Sequence, residues 1–74
     1  MKFSEKLGRK IRKERKMRGW TQEDFANAIV MSPRHYGDVE RGSVNVGVNT
    51  VERIAMGFDM DTSELFLLDE DIKA

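Results

Sequence analysis

The chain has 74 residues, no cysteine and a single histidine, and its 13 Lys and Arg residues balance 13 Asp and Glu residues to a net charge of zero. Without cysteine it can form neither a disulfide nor a thiolate metal site, and one histidine cannot build a zinc site. No run of about 18 apolar residues is present, and the N-terminal segment lacks the continuous apolar core of a signal peptide. We therefore expect one small cytoplasmic domain that needs no metal and no cofactor.

The positive charge is concentrated at the beginning of the chain. Residues 1–20 carry a net charge of +7, and residues 21–74 carry −7. This separation predicts a basic surface for a polyanion. Two other interpretations are a solvated basic helix and, for residues 1–20 alone, a peptide lying on a membrane surface.

Apolar residues recur at helical spacing from the start of the chain. The first helix is predicted at about 4–18, with Leu7 and Ile11 facing inward. Arg15 continues their row one turn later, although it is charged. Gly19 is the residue expected to end this helix, because glycine adopts the left-handed conformation of a C-cap at little cost.

Later helices begin at residues whose side chains can cap a helix. The three start signals are Thr21 with Asp24, Ser32 with Pro33, and Asp61 with Glu64. These signals predict helices at about 22–29, 33–41 and 62–68, and the spacing of apolar residues predicts a fourth at about 48–57. Their inward faces are predicted to consist of Phe25, Ala26, Ile29, Tyr36, Val39, Val48, Val51, Ile54, Ala55, Leu65 and Phe66.

The second and third helices are joined very tightly. Only Val30 and Met31 separate Ile29 from the cap Ser32. Two short amphipathic helices with so short a connection must cross steeply, as in a helix-turn-helix. Ala26 lies at the predicted crossing, where a small side chain lets two backbones approach.

The stretch 22–41 resembles the helix-turn-helix of the Cro/C1 family of phage and bacterial repressors. The resemblance extends over about 7–66 and rests on Ile11, Arg12, Arg15, Thr21, Gln22, Glu23, Ala26, Ser32, Val39, Glu40, Arg41, Gly42, Asn45, Thr50, Ile54, Ala55, Ser63, Glu64, Leu65 and Phe66. The run from Tyr36 to Gly42 also resembles the controller proteins of restriction–modification systems.

This resemblance implies a fold and a function. The fold is all-α, a single five-helix domain of the lambda-repressor type over residues 1–74, with the helix-turn-helix formed by helices 2 and 3. The function is that of a homodimer that binds double-stranded DNA at a palindromic operator and regulates transcription, including that of its own gene.

A few residues depart from the family pattern or from good helix chemistry. Val30 occupies the turn position where the family usually has glycine, so the turn is either strained or built differently. Pro33 cannot donate from its backbone, and Val44 replaces a frequent Lys or Arg. Gly37 weakens the third helix, which a close approach to DNA or to the second helix would explain.

The family geometry places the third helix in the major groove with its first residues on the base edges. Arg34 is predicted to read a guanine through two hydrogen bonds, the alternative being a solvated arginine on the helix surface. Pro33 either contacts a thymine methyl group or only starts the helix, and His35 either contacts DNA or is a half-exposed histidine. Asp38 either accepts from a cytosine or orients Arg34, one turn earlier.

Phosphate contacts are predicted for the residues that flank this helix and for one residue of the basic segment. They are Gln22, which resembles the family's phosphate-binding glutamine, and Thr21, Arg12, Arg41, Ser43 and Asn45. Gln22 could instead be an ordinary residue in the first turn of the second helix.

Two further expectations concern stability and assembly. The resemblance implies a structural ion pair between Arg15 and Glu40, and Trp20 is interpreted as a core residue over the junction of helices 1 and 2. The C-terminal half carries more apolar surface than one short helix can cover. We therefore expect a dimer interface formed by Met60, Phe66, Leu67 and Leu68.

An alternative is an antitoxin or adaptor whose main role is to bind a protein partner of unknown identity. The sequence offers no nucleophile–base pair, no paired carboxylates with a cleft and no phosphate-binding loop, so we do not expect an enzyme.

Overall fold

The computed structural model describes residues 1–68, which form five helices and no strand. These are α1 (Phe3–Met17), α2 (Gln22–Ala28), α3 (Pro33–Arg41), α4 (Val48–Gly57) and α5 (Thr62–Leu65). The predicted all-α, five-helix fold is confirmed, and the bounds of α1 to α4 agree with the sequence patterns to within one residue. Residues 69–74 of the predicted single domain lie outside the described residues.

Side-chain caps explain where α2, α3 and α5 begin. The Thr21 hydroxyl accepts from the Asp24 backbone N–H at 3.0 Å, and the Ser32 hydroxyl accepts from that of His35 at 3.0 Å. At α5 a reciprocal capping box joins Asp61 to Glu64. Each bond satisfies an N–H group that the helix itself leaves without a partner.

One apolar core joins all five helices. Its members are Leu7, Ile11, Phe25, Ala26, Ile29, Met31, Tyr36, Val39, Val51, Ile54, Ala55, Phe58, Leu65 and Leu68. Two residues predicted to face inward do not. Val48 is exposed, so the apolar row of α4 is buried only from Val51 onward, and Phe66 is partly exposed, with its ring stacked on Phe3 at 5.8 Å between centroids.

Helix α5 is three residues shorter than predicted. After Leu65 the chain continues through bonds of the tighter i→i−3 kind, from Phe66 N–H to Ser63 and from Leu67 N–H to Glu64. Leu68 then enters the core and is fully buried. A regular helix through this position would have directed these side chains differently, because helical side chains turn by about 100° per residue.

Trp20 covers the core instead of lying inside it. Its ring is stacked on Phe25 at 5.6 Å and on Phe58 at 6.3 Å, and it remains 39% exposed. The Arg18 guanidinium lies 4.7 Å from the Phe58 ring centroid. The position over the junction of α1 and α2 is as predicted, but the degree of burial is not.

The connection between α2 and α3 is strained. Val30 has a φ of +57°, in the left-handed region that β-branched residues rarely adopt, and its side chain is 85% exposed. The Met31 backbone N–H donates to the Ala26 carbonyl at 2.8 Å, which closes the turn. The turn therefore keeps the conformation that glycine would favour, although no glycine is present.

Gly8 allows the backbones of α1 and α3 to come into direct contact. A β-carbon on Gly8 would lie 2.4 Å from the Glu40 carbonyl oxygen and 2.6 Å from that of Val39. Only glycine permits this approach, since real β-carbons are essentially never found at such distances. Gly8 thereby fixes α1 against the inner face of the helix predicted to recognise DNA.

Candidate nucleic-acid interface

Helix α3 separates two kinds of side chain on its two faces. Tyr36, Val39 and Glu40 are buried, whereas Arg34 and His35 are exposed close to its N-terminus. This division follows from the helical period, because positions three and four apart share a face. Pro33, also exposed, starts the helix at a position where the missing N–H costs nothing.

The inner face of α3 holds a buried hydrogen-bond network around one carboxylate. Arg15 donates from Nε to Glu40 Oε2 at 2.7 Å and from Nη2 to Oε1 at 3.2 Å, so the ion pair expected from the resemblance is present and bidentate. The Tyr36 hydroxyl donates to Glu40 Oε2, and Gln22 Nε2 donates to Oε1 at 2.9 Å. Arg15 also donates to the Trp20 carbonyl at 2.6 Å.

This network sets the ionisation of its members. Burial alone would raise the pKa of Glu40, but hydrogen bonds from Arg15, Tyr36 and Gln22 outweigh it, and the pKa is lowered. The Glu40 hydrogen bond raises the pKa of Arg15. Burial, together with the neighbouring carboxylate, raises the pKa of the Tyr36 phenol. The network therefore consists of a charged pair and a neutral phenol at neutral pH.

Gln22 connects the buried network to the predicted interface. One of its amide hydrogens is used by Glu40, and its side chain is only partly buried. The sequence reasoning treated Gln22 as a phosphate contact and missed this bond to Glu40. It also missed the role of Tyr36, although the i, i+4 spacing of Tyr36 and Glu40 is a usable signal.

Asp38 does not orient Arg34. Its carboxylate instead accepts from the Arg41 guanidinium, three residues further along the helix. The Asp38 carbonyl accepts from the Ser43 hydroxyl at 3.1 Å. The predicted contact with Arg34 is therefore wrong, because Arg41 folds back along α3 to reach Asp38.

The other predicted phosphate contacts fall into two locations. Thr21, Arg41, Ser43 and Asn45 are exposed on the segments that flank α3 and begin α2. Arg12 lies elsewhere, on the outer face of α1, away from the buried row of Leu7, Ile11 and Arg15. We call this the basic face of α1; it is formed by Arg9, Arg12, Lys13 and Lys16, which line one shallow depression.

The predicted dimer residues are not all available to a partner. Leu68 is fully buried within the core of its own chain, and Met60 is partly buried against that core. Phe66 and Leu67 remain 40% and 59% exposed, and Phe3, which is stacked on Phe66, is 54% exposed. We call Phe3, Phe66 and Leu67 the terminal apolar patch. Leu68 is removed from the predicted interface, since a side chain in the core cannot contact a second copy.

Residues 1–68 contain no group of three or more His, Asp or Glu side chains that could hold a metal ion. Within the same part of the chain, no helix has both the length and the hydropathy needed to cross a bilayer.

A family model described as Helix-turn-helix matches residues 11–65, which include α2, the strained turn and α3. The chain belongs to this family. It is thus a DNA-binding transcriptional regulator of the Cro/C1 type, and its relatives are regulators rather than enzymes.

Two curated relatives align with 89% of the chain. The chain is 36% identical over 66 residues to the control protein C.MunI of Mycoplasma sp., of which it covers 85%. It is 32% identical over 66 residues to the competence pilus inhibition repressor of Acinetobacter baylyi, and it spans only 60% of that protein's length.

Solved structures share the fold. The restriction–modification controller protein C.AhdI of Aeromonas hydrophila superposes with a TM-score of 0.81 at 31% identity, over 84% of this chain and 94% of that one. The clp gene regulator ClgR of Corynebacterium glutamicum superposes with a TM-score of 0.86 over 90% of this chain and 86% of that one. At 22% identity, ClgR supports the fold alone.

Proposed function

We propose that the protein is a homodimeric, sequence-specific regulator that binds a palindromic operator upstream of its own gene. The observation that carries this proposal is the exposed N-terminal end of α3, whose opposite face is fixed to α1 and α2 by the Glu40 network. A rigidly supported helix with exposed donors is what major-groove readout requires. Relatives that are control proteins and repressors support the same role.

Arg34 is the proposed base reader. Its side chain is exposed, and it lies one position after Pro33 at the end of the helix that enters the groove first. A bidentate contact to guanine O6 and N7 contributes about 1–3 kcal/mol of discrimination against other bases. Pro33, His35 and Asp38 are proposed to contact the neighbouring bases, Asp38 through the carboxylate oxygen that does not accept from Arg41.

The proposed phosphate contacts surround this helix. Gln22 would use its second amide hydrogen, because the first is bonded to Glu40. Thr21, Arg41, Ser43 and Asn45 lie on exposed segments beside it. Arg12, on the basic face of α1, is the proposed phosphate contact that lies outside this group.

The proposed dimer interface is the terminal apolar patch together with Met60, which is partly buried against the core. A single module reads few base pairs, whereas a twofold pair reads two half-sites about one helical turn apart. Exposed Phe3, Phe66 and Leu67 supply the aromatic and aliphatic surface that such contacts favour.

The test is to measure binding to the DNA upstream of the gene and to a scrambled duplex of equal length, at several salt concentrations. We expect the wild type to prefer the upstream DNA by about 10³-fold or more. Arg34→Ala should lower this preference by roughly tenfold and leave the salt dependence nearly unchanged. Arg53→Ala, which removes another exposed arginine, is the matched control and should keep the preference.

Binding that is weak and indifferent to sequence would contradict the proposal. The same apolar patch suits an antitoxin or adaptor that holds a different protein, and this is the second candidate. Co-purification of a stoichiometric partner from the native host, together with a monomeric purified chain, would favour it.

A further inference from the structure

We infer that Gly37 is a positioning residue that seats the Arg41 guanidinium between α3 and the start of α2. The inference rests on the proposed DNA binding and deepens it. It explains why the recognition helix contains a glycine at position 37. It also makes Arg41 a phosphate contact whose side chain is already ordered before DNA binds.

The space beside Gly37 is occupied by the arginine. A β-carbon on Gly37 would lie 3.2 Å from Arg41 Nη1 and 3.8 Å from Nη2. The same position lies 3.6 Å from Gln22 Oε1. The first distance is tighter than nine in ten real β-carbon contacts, so a β-carbon at residue 37 would require the guanidinium to shift by a few tenths of an ångström, whereas Gln22 would be at ordinary contact distance.

The guanidinium is held at this position by a neighbour on its own helix. Asp38 accepts a hydrogen bond from Arg41, and the Asp38 carbonyl is tied by the Ser43 backbone N–H and hydroxyl. The side chain of Arg41 nevertheless remains 60% exposed. A guanidinium carries five N–H donors, so a single carboxylate leaves donors for a phosphate oxygen.

No local requirement of the backbone explains the glycine. The positive-φ glycines of residues 1–68 are Gly19 and Gly42, and Gly37 is not among them. Glycine also destabilises a helix interior relative to alanine. The backbone conformation does not require glycine and helix propensity disfavours it, so we assign the glycine to the close contact with the Arg41 guanidinium.

Holding the Arg41 side chain in place before DNA binds should raise the affinity for DNA. An arginine loses rotamer freedom when a phosphate immobilises it, and this loss weakens binding. An arginine already fixed over Gly37 has less freedom to lose. The affinity for DNA is then higher than that of the same arginine on an unrestricted helix surface.

A double-mutant cycle tests the inference with Gly37→Ala, Arg41→Ala and the double variant. We expect Gly37→Ala to raise the melting temperature and yet to weaken operator binding roughly three- to tenfold. Arg41→Ala should weaken binding at least as much and reduce the salt slope by about 1. The double variant should bind like Arg41→Ala, because the seat has no function without the arginine.

A second measurement needs no DNA. The relaxation of the Arg41 side-chain ¹⁵Nε signal should show an ordered guanidinium in the wild type and a mobile one in Gly37→Ala. The control is Gly47→Ala, since no atom lies within 4 Å of a β-carbon at Gly47, and it should leave both the relaxation and the affinity unchanged.

The inference fails if Gly37→Ala binds the operator as well as the wild type. It also fails if the alanine weakens binding equally with and without Arg41, which would mean that the Gly37 backbone itself approaches DNA. Should the wild type not distinguish the operator from scrambled DNA, the proposed function fails instead. The ¹⁵Nε relaxation would then still support or overturn the seat.

Discussion

Glu40 accepts hydrogen bonds from side chains of three different helices, namely Arg15 of α1, Gln22 of α2 and Tyr36 of its own helix. A buried carboxylate is tolerable only when its lone pairs are satisfied. Among residues 1–68 no buried side-chain nitrogen or oxygen lacks a hydrogen-bond partner. The Glu40 carboxylate therefore links α2 and α3, the two helices of the helix-turn-helix, to α1.

Replacing Glu40 by glutamine should therefore destabilise the fold. The change leaves the Arg15 charge buried without its counterion, which typically costs about 3–5 kcal/mol. We expect the melting temperature to fall by roughly 15 °C or more in thermal unfolding followed by circular dichroism. Glu52→Gln, at an exposed position on α4, is the control and should unfold close to the wild type. An unchanged melting temperature for Glu40→Gln would show that the pair is dispensable.

The same carboxylate predicts an acid sensitivity. Because the pKa of Glu40 is lowered in the folded chain, its contribution to stability is complete above the unfolded value of 4.5. That contribution is lost as the pH falls below 4.5 through the folded pKa. A ¹³C titration of the Glu40 carboxyl should give a midpoint below 4.5, and Tyr36→Phe should raise it by removing one donor. A midpoint at or above 4.5 in the wild type would contradict the network.

Val30 offers a substitution expected to stabilise the protein. A β-branched residue at a φ of +57° carries strain of order 1–3 kcal/mol, which glycine relieves. The greater freedom of glycine in the unfolded chain offsets part of this gain. We expect Val30→Gly to raise the free energy of unfolding by about 1 kcal/mol, measured in urea.

Val48→Gly is the matched control for this gain. Val48 is also an exposed valine, but it lies in the helical conformation at the start of α4. There glycine should destabilise by roughly 0.3–0.5 kcal/mol, because valine is itself a weaker helix former than alanine. Equal effects of the two substitutions would show that the turn is not strained.

At the scale of helices, the contact between α1 and α3 depends on Gly8. A methyl group there would overlap the Glu40 and Val39 carbonyl oxygens, which belong to the backbone and cannot rotate away. We expect Gly8→Ala to lower the free energy of unfolding by about 1–3 kcal/mol, despite the higher helix propensity of alanine. Gly47→Ala, made in open space, should change it little. Stabilisation by Gly8→Ala would mean that the helices are farther apart than described.

The start of a helix could be predicted from the sequence where it depends on a contact between residues close together in the chain. Thr21, Ser32 and Asp61 cap helices through bonds within three residues, and the sequence patterns therefore located those starts. The end of α5 was not predictable in the same way. Phe66 turns toward Phe3 at the other end of the chain, and no local pattern encodes that contact.

Some features of the candidate site were also predictable from the sequence, and others were not. The resemblance supplied Arg15 and Glu40 as a pair, and periodicity supplied the exposed face of α3. The partner of Asp38 could not be inferred, because Arg34 and Arg41 both lie one turn away on the helix. The Arg41 guanidinium lies over Gly37, where a β-carbon would be 3.2 Å from Nη1, and only the three-dimensional arrangement shows this contact.

For the whole molecule, the decisive prediction concerns assembly. Leu67 is 59% exposed in the terminal apolar patch, so an aspartate there should leave the fold of the single chain intact. We expect Leu67→Asp to shift the protein toward monomer in analytical ultracentrifugation and to weaken binding to a full two-half-site operator far more than to one half-site. Met56→Asp, at another exposed apolar position, should remain dimeric. A dimer that survives Leu67→Asp would locate the interface elsewhere.

The basic face of α1 has a consequence for how the purified protein behaves. Near its isoelectric point of about 6.6 the chain has no net charge, yet residues 1–20 and the remainder carry opposite charges of +7 and −7. Because the charges are divided in this way along the chain, we expect ion-exchange resins of either sign to retain the protein. In dilute buffer the oppositely charged regions of neighbouring molecules should attract one another, and added salt should raise the solubility by screening that attraction.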